Sequence, residues 1–253
     1  TATHHIVADG WSLEVLKREM SALYAAFSAG QPSPLPPLPI QYTDFAHWQR
    51  QRLSGERLQL QLDYWRGQLG GVEQLDFPTD KVRPVQAAYR GDYVPLALTP
   101  EVSARLRTLA QDRGATPFMV SLAALYVVLA RYSGQRDLCI GTPIANRNHA
   151  DIEALVGFFV NTLALRVLVD EDASFDEFLG LVQRTSLEAY EHQDLPFELL
   201  VDHLNIERDT GRNPLFQIMF VLQNVPKNVS ASPADGPVDG SDDGPVADML
   251  DAG

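Results

Sequence analysis

The sequence has very little cysteine, little positive charge and no long apolar run. Its single cysteine, Cys139, excludes an internal disulfide and a cysteine-based zinc or iron–sulfur site, and it favours a reducing, cytoplasmic location. The 20 basic and 33 acidic side chains give a net charge of −13, which would repel a phosphate backbone, so nucleic acid is not expected as a partner. No apolar run approaches the roughly 18 residues that a bilayer span needs, so a membrane is not expected either.

Several common catalytic signatures are also absent. No glycine-rich dinucleotide loop or Walker loop follows a strand pattern, and neither a Gly-x-Ser-x-Gly elbow nor His-Glu-x-x-His occurs. These absences argue against dinucleotide binding, ATP hydrolysis and serine-hydrolase chemistry. The chain nevertheless has 253 residues, of which 45% are hydrophobic, enough for one large domain or two small ones with a substantial core.

Both ends of the sequence differ in composition from its middle. Residues 1–10 contain neither an initiator methionine nor a basic-then-apolar leader, so we expect the chain to be cut from a longer protein. Residues 225–253 are predicted to be a disordered acidic linker, because 226–253 hold six Asp, four Pro and four Gly against a single Lys. Residues 31–41 contain five prolines, which predict an extended connector between two lobes.

Helix and strand patterns alternate along the rest of the chain. Helices are predicted from apolar spacings of three and four and from Thr-Pro or Ser-x-x-Glu start signals. Strands are predicted from short runs rich in β-branched and apolar residues. The predicted helices cover 11–29, 42–70 (two, broken near residue 54), 100–113, 118–132, 174–191 and a short stretch after 196; the predicted strands cover 90–98, 138–144, 161–169 and 215–222. This alternation predicts an α/β layered fold.

The segment 4–10, which reads HHIVADG, is the strongest candidate for chemistry. A histidine such as His5 can act as a general base near neutral pH, or hold a proton donor, provided that a neighbouring group fixes its ring. Asp9 lies four residues further on, and Gly10 allows a sharp turn or a bare amide that faces an oxyanion. These residues could equally be loop residues with only local hydrogen bonds. A metal site is disfavoured because the sequence places no third ligand.

Three other segments carry weaker signals. Arg147 follows a predicted inner strand and is either a solvated charge or the buried partner of an acid such as Asp9. Residues 156–162 place aromatics around a glycine, a pattern that is more often core packing than a site. His192 lies near a helix end, where a histidine is more often a capping or dipole partner than a base.

Taken together, these segments resemble the condensation domain of nonribosomal peptide synthetases, a member of the chloramphenicol acetyltransferase-like superfamily. Residues 4–12 (HHIVADGWS) are similar to the active-site signature of that family. Further segments resemble its later motifs in the same order: 42–48 (YTDFAHW), 140–147 (IGTPIANR) with 156–162 (VGFFVNT), 192–200 (HQDLPFELL) and 208–217 (RDTGRNPLFQ). The resemblance covers about residues 3–224.

The resemblance implies a two-lobed α/β fold with the active site where the lobes meet. The family signature lies about a third of the way into its domain, whereas here it opens the chain, so most of the first lobe is expected to be missing and the fragment to be inactive alone. On this basis we expect four parts: the tail of the first lobe at 1–30, a connector at 31–41, the second lobe at 42–224 and an acidic linker at 225–253.

The implied reaction is amide formation in nonribosomal peptide biosynthesis. The amine of an acceptor aminoacyl thioester attacks the carbonyl of a donor thioester, and both substrates ride on 4'-phosphopantetheine arms of upstream and downstream carrier domains. An adenylation domain is expected next to the chain, and no directly bound cofactor or metal is expected. The signature looks most like the type that joins an L-donor to an L-acceptor. An epimerization domain, a noncatalytic carrier-docking module and a free-standing acyltransferase that uses coenzyme A thioesters remain alternatives.

The resemblance also implies roles for individual residues. His5 would position or deprotonate the acceptor amine. Asp9 would be structural, as the ion-pair partner of Arg147, and His4 would be structural too. Gly10 would leave room for substrate or offer its amide near the oxyanion. Three residues are expected to line the substrate tunnel: Trp11, Asn161 and Gln217.

Overall fold

The computed structural model describes residues 2–81, 91–204 and 212–222. In chain order the elements are a 3-10 turn at His5–Val7, α1 (Gly10–Ser28), α2 (Tyr42–Arg52), α3 (Gly55–Leu69), α4 (Pro100–Asp112), α5 (Pro117–Ser133), β1 (Asp137–Ile144), α6 (Ala150–Glu153), β2 (Asn161–Leu168), α7 (Phe175–Glu191) and α8 (Phe197–Leu204). The described residues form eight α-helices and two β-strands, and both strands lie between α5 and α7, so the fold is of the predicted α/β class although most helices are consecutive in the chain.

The chain divides into two compact units. Unit 1 comprises Thr1–Gln68, Pro143–Leu163 and His192–Leu204, and unit 2 comprises Leu69–Thr142, Ala164–Glu191 and Asn205–Gly253. The histidine segment, Arg147 and residues 156–162 therefore all belong to unit 1, whereas Gln217 belongs to unit 2.

Local capping determines where the helices begin, as the sequence predicted. The hydroxyls of Thr99 and Thr116 each accept a hydrogen bond from the backbone N–H three residues on, and a proline follows each threonine at the first helical position. Ser174 and Glu177 form a reciprocal capping box in front of α7. Gly134 ends α5 with a φ of 72°, a conformation that glycine adopts without strain.

An aromatic cluster forms the core of unit 1 around the site. Phe45 of α2 packs against Phe159, with 4.7 Å between ring centroids, and Ile152 and Leu155 complete the buried cluster. Tyr42 covers its edge and lies edge-on to Phe159 at 5.1 Å. This packing holds residues 156–160, the segment between α6 and β2, against α2.

The core of unit 2 is built on α5, which packs against α4 and α7. The hydroxyl of Tyr126 on α5 donates a 2.6 Å hydrogen bond to the backbone carbonyl of Leu165 on β2, and β1 and β2 form a two-stranded sheet. Arg166 on β2 and Asp137 on β1 form a bidentate ion pair. Among the described residues no single helix has both the length and the apolarity to cross a bilayer; α4 and α5 meet the criterion only as a pair, with a bend of 108° between them.

The apolar face of α1 lies largely exposed. The predicted helix is present, but only Ser12 and Val15 of its residues are buried. Met20, Tyr24 and Phe27, which lie three and four residues apart, are 56%, 78% and 60% exposed. An apolar stripe of this kind normally packs against another element.

The prediction of a strand over 90–98 was wrong. Residue 90 lies outside the described residues, and 91–98 contain no strand. Tyr93, Val94 and Leu96 are 58%, 87% and 70% exposed, so the described structure buries little of the alternating pattern. A β-rich pattern forms a strand only where a neighbouring strand accepts its hydrogen bonds and a core covers one face.

The prediction of a fully buried strand over 215–222 was also wrong. Leu215 and Phe216 are buried, but the segment joins β1 through a single parallel bridge between Met219 and Gly141. Gly141 accepts the close approach of the Phe216 ring, since a Cβ at this position would overlap it. The predicted acidic linker at 225–253, and residues 208–211 of the last motif, lie outside the described residues.

Candidate active site

The two histidines of the signature lie on a short turn that precedes α1. The imidazole Nδ1 of His4 accepts a hydrogen bond of 3.1 Å from the backbone N–H of Ile6, and it thereby caps the 3-10 turn at His5–Val7. His4 and His5 are both exposed. An accepting ring nitrogen carries no proton, so this cap uses the unprotonated Nδ1 of His4. The cap fixes the backbone from which the His5 imidazole projects.

Asp9 follows this turn and caps the start of α1. Its Oδ1 accepts hydrogen bonds of 2.8 Å from the Ser12 backbone N–H and 2.7 Å from the Ser12 hydroxyl, which makes it the N-cap of the helix. Its Oδ2 accepts a 3.0 Å bond from the backbone N–H of Phe159. Only 3% of Asp9 is exposed. Asp9 therefore joins the histidine turn, α1 and the 157–159 segment.

Arg147 forms a buried ion pair with Asp9. Its Nη2 lies 3.2 Å from Asp9 Oδ1, and the two side chains are 1% and 4% exposed. The same Nη2 donates a 2.8 Å bond to the Ser12 hydroxyl. The two groups that the sequence analysis paired thus lie together, although 138 residues separate them in the chain.

The other terminal nitrogen and the face of the guanidinium are also held. Nη1 donates to the backbone carbonyls of Ile152 and Leu155 at the end of α6. The Phe159 ring lies 4.0 Å from the guanidinium carbon and the Trp11 ring 5.8 Å from it, both within cation–π range. Arg147 is therefore paired, hydrogen-bonded through both terminal nitrogens and covered by rings, which offsets part of the cost of burying its charge; its Nε is buried without a hydrogen-bond partner among the described residues.

The hydrogen bonds around Asp9 alter its acidity. Burial by itself would raise the pKa of the Asp9 carboxyl, but the hydrogen bonds from Ser12 and from the Phe159 N–H, together with the charge of Arg147, outweigh it. The pKa of Asp9 therefore lies below its ordinary value. For Arg147, burial lowers the pKa from its ordinary value, although Asp9 opposes that shift. Both groups stay charged near neutral pH.

Ser12 is a central residue of this network that the sequence analysis did not assign. It is fully buried, and its hydroxyl accepts bonds from Arg147 Nη2 and from the Gly157 N–H at 3.0 Å. The single hydroxyl proton can go to Asp9 Oδ1 at 2.7 Å or to the Gly157 carbonyl at 2.8 Å. The sequence did contain one signal for Ser12. It lies three residues after Asp9, the position whose backbone N–H bonds the side chain of an N-cap residue.

The 157–159 segment completes the site. The Gly157 carbonyl accepts a 3.1 Å bond from the Asp9 N–H, and the Phe158 ring lies edge-on to the His5 imidazole, with 5.4 Å between centroids. The Phe158 carbonyl accepts a 2.8 Å bond from the Tyr42 hydroxyl. The segment that the sequence analysis interpreted as core packing therefore contacts both His5 and Asp9.

The three residues expected to line a tunnel all make hydrogen bonds to backbone. Trp11 Nε1 donates 2.9 Å to the Glu153 carbonyl. Asn161 is 8% exposed, and its amide binds four backbone groups of residues 162, 193, 195 and 197. In unit 2, Gln217 accepts from the Leu75 N–H at 2.8 Å. A tunnel role for these residues stays a prediction.

Gly10, expected to leave room for substrate, is the first residue of α1 and is exposed. Apart from its chain neighbours and the backbone of α1, no heavy atom of the described residues lies within 4 Å of the position that a Cβ would take there. Its φ is not in the left-handed region, so neither a turn nor a close approach within this structure requires glycine. The suggested role toward substrate stays a prediction.

The sequence was compared with models of known protein families. The model of the family described as "Condensation domain" matches residues 1–238. The chain belongs to this family. The resemblance to nonribosomal peptide synthetase condensation domains that the ordered motifs indicated is thereby confirmed.

Curated relatives of this condensation domain are much longer proteins. Malpinin synthetase of Mortierella alpina is 49% identical over 222 residues, which are 87% of this chain and 3% of the relative. Phosphinothricin tripeptide synthetase PhsC of Streptomyces viridochromogenes is 47% identical over 222 residues, 87% of this chain and 20% of that protein. The chain thus spans a small part of the relatives that it matches.

Solved structures share the fold. The X-domain from teicoplanin biosynthesis superposes with a TM-score of 0.80 at 32% identity, covering 86% of this chain and 50% of its own. A four-domain nonribosomal peptide synthetase bound to AMP and glycine superposes with a TM-score of 0.73 at 26% identity, covering 88% of this chain and 17% of its own. These likenesses confirm the predicted fold of the condensation domain.

We expect Gly157→Ala to destabilise the condensation domain. Gly157 has no room for a side chain, because a Cβ would overlap the Tyr42 ring and lie 2.9 Å from Cε2 of Phe159. Such overpacking costs about 1–3 kcal/mol in the free energy of unfolding. Urea unfolding of the two proteins measures this difference. Gly67→Ala is the matched control, since its Cβ would meet no heavy atom of the described residues beyond its chain neighbours and the backbone of α3. Equal stability of Gly157→Ala and wild type would contradict the packing.

Proposed function

We propose that this condensation domain forms an amide bond between two carrier-bound thioesters. The observation that carries the proposal is the exposed His5 imidazole, projected from a turn that the buried Asp9–Arg147 pair anchors. An imidazole that is accessible and held by a rigid support suits proton transfer at neutral pH. The relatives named above, malpinin synthetase and a tripeptide synthetase, support a role in peptide synthesis.

In the proposed reaction the acceptor amine attacks the donor thioester carbonyl. A C–N bond forms, the tetrahedral intermediate collapses, and the C–S bond breaks to release the thiol of the donor carrier arm. His5 positions the amine and accepts its proton, which then passes to the departing thiolate, so the reaction needs no external acid or base. Holding the two thioesters together contributes a further part of the rate, since well-oriented reactants gain about 7–11 kcal/mol from high effective molarity.

The partners in this proposal are an upstream and a downstream carrier domain. Each presents its substrate on a 4'-phosphopantetheine arm, which this chain uses as substrate and not as a resident cofactor. An adjacent adenylation domain would load the acceptor. The solved four-domain synthetase with a similar condensation fold supports such a multidomain setting. We propose an L-donor and an L-acceptor, on the resemblance of residues 10–12 and the helix that follows them to that type.

We further propose that the chain holds one lobe and the end of another. Residues 1–30 would be the tail of the first lobe, 31–41 the connector, 42–224 the second lobe and 225–253 a linker. Two observations support this division: the exposed apolar face of α1, and solved relatives of which this chain covers about half. The rest of the first lobe would cover α1, and the segment alone would be inactive.

The test uses the complete domain, with the native upstream sequence present. Donor and acceptor carriers are loaded, their loading is verified by intact mass, and both are mixed with the domain. We expect the mass of the downstream carrier to rise by one donor acyl group. An unchanged mass would overturn the proposal. In that case, inverted stereochemistry of the carrier-bound residue would indicate an epimerization domain, and retained stereochemistry with carrier binding would indicate a docking module.

We propose a structural role for His4, which its substitutions test. His4→Ala removes the cap of the 3-10 turn, worth about 1 kcal/mol or about fivefold in the equilibrium constant for forming the turn, and the rate of amide formation should fall by up to that factor. His4→Asn keeps a side-chain acceptor at the N-cap and should retain most of the rate. Single-turnover rates measure both. If the two variants are equally impaired, the imidazole itself takes part in the reaction.

A further inference from the structure

The ring of Phe158 is the one aromatic group in contact with His5 among the described residues. The two ring centroids lie 5.4 Å apart with an interplanar angle of 74°, an edge-to-face arrangement. His5 is exposed and Phe158 is partly buried. A side chain on an exposed turn normally samples several rotamers, so a ring packed against it restricts where its imidazole points.

Phe158 is itself held by its surroundings. Its carbonyl accepts the 2.8 Å bond from the Tyr42 hydroxyl, and Tyr42 packs on the buried cluster of unit 1. The residues on either side, Gly157 and Phe159, are bound to Asp9 through their backbone groups. The backbone of Phe158 is therefore fixed relative to the helix N-terminus that follows the His5 turn.

Phe158 and Phe159 are adjacent in the chain but pack against different side chains. Phe159 is 2% exposed and lies 4.0 Å from the Arg147 guanidinium carbon, where it belongs to the core. Phe158 is partly exposed and contacts the imidazole instead. Core packing explains Phe159 but leaves the contact of Phe158 with His5 unexplained.

We propose that Phe158 is a positioning residue that orients the His5 imidazole toward the acceptor amine. This inference rests on the proposed function. It assigns Phe158 no contact with substrate and no proton transfer. The aromatic ring limits the rotamers of His5, and its loss leaves the imidazole present but misoriented. Misplacement of a catalytic group by about 1 Å costs up to about 100-fold in rate.

The first test compares kinetic constants of the complete domain with loaded carriers. Phe158→Leu keeps an apolar side chain but removes the ring, and we expect kcat to fall about 10- to 100-fold with KM for the acceptor carrier changed less than about twofold. Phe158→Tyr keeps the ring and should restore most of kcat. Phe118→Leu makes the same change at another partly buried ring, which lies 5.4 Å from the Phe220 ring in unit 2, and it controls for loss of packing away from His5. Unchanged kcat in Phe158→Leu, or an equal loss in Phe118→Leu, would overturn the proposal.

A second readout does not depend on turnover. Histidine Cε1 is labelled with 13C in the complete domain, and the His5 signal is identified by its loss in His5→Ala. The π-system of the Phe158 ring shifts this signal, so Phe158→Leu should move it and Phe118→Leu should not. If the signal stays in place in Phe158→Leu, the inference fails. If the signal moves only in that variant while wild type forms no product, the contact stands and the proposed function fails.

Discussion

His5→Ala is expected to lower the rate of amide formation by about 100-fold or more while the domain keeps its fold. General acid–base catalysis by a positioned side chain contributes about 10²- to 10⁴-fold, and the variant removes the group that positions the amine and takes its proton. The residual rate would come from the juxtaposition of the two thioesters, which the variant leaves intact. Single-turnover product formation, followed by the intact mass of the downstream carrier, measures the loss.

The fold should survive this change because His5 supports little of it. Its imidazole is exposed, and its ring contact among the described residues is the one with Phe158. Thermal unfolding should therefore match wild type within a few degrees. His47→Ala is the matched control, since His47 is also an exposed histidine of unit 1 and its side chain bonds Gln51 on the same helix. Wild-type turnover in His5→Ala would remove His5 from the reaction.

The sequence predicted well those features that depend on residues close together in the chain. The starts of α4, α5 and α7 follow from a capping side chain and an N–H three residues away, so the pattern contains both partners. The strands predicted at 90–98 and 215–222 failed for the opposite reason. A strand depends on a neighbouring strand that its own residues do not specify. The side chains at 93–96 are largely exposed, and the segment 215–222 pairs with β1 only through one bridge.

The candidate site was predictable in its charges but not in its support. The pairing of Asp9 with Arg147 was an expectation from the ordered motifs, because the residues alone left Arg147 as either a solvated charge or the buried partner of an acid. Ser12 and the 157–159 segment did not stand out, because a serine hydroxyl and backbone amides can bond many partners. Adjacent phenylalanines look alike in a sequence. Only the packing distinguishes Phe159, against Arg147, from Phe158, against His5.

Asp9→Asn is expected to lower the free energy of unfolding by about 3–5 kcal/mol, the cost of breaking a buried ion pair by removing one partner. The amide keeps the shape of the carboxylate but has one acceptor oxygen where four donors converge: the Ser12 N–H and hydroxyl, Arg147 Nη2 and the Phe159 N–H. Its NH₂ group would face one of these donors, and Arg147 would keep a buried charge without a counter-ion. Denaturant unfolding of wild type and variant measures the loss.

A double variant keeps this prediction testable if Asp9→Asn alone fails to fold. Arg147→Met removes the uncompensated charge, so the double variant Asp9→Asn/Arg147→Met should be more stable than Asp9→Asn and should refold in the same assay. Asp63→Asn is the matched control, because it makes the same change at an exposed aspartate of the same unit. Additive effects of the two substitutions would show that Asp9 and Arg147 do not stabilise each other.

The pH dependence of stability supplies an independent measure of the same carboxylate. The pKa of Asp9 is lowered in the folded state, so folding stabilises the charged form of its carboxyl relative to the neutral form. The contribution of Asp9 is therefore complete above the ordinary carboxyl pKa of about 4 and is lost as the pH falls through the folded-state pKa. Asp9→Asn lacks this group, so the difference in stability between wild type and variant should be constant above about pH 5 and should shrink as the pH falls from about 5 to about 2. A difference that stays constant over this range would mean that the charge of Asp9 does not stabilise the fold. If Asp9→Asn instead loses activity without losing stability, Asp9 takes part directly in the reaction.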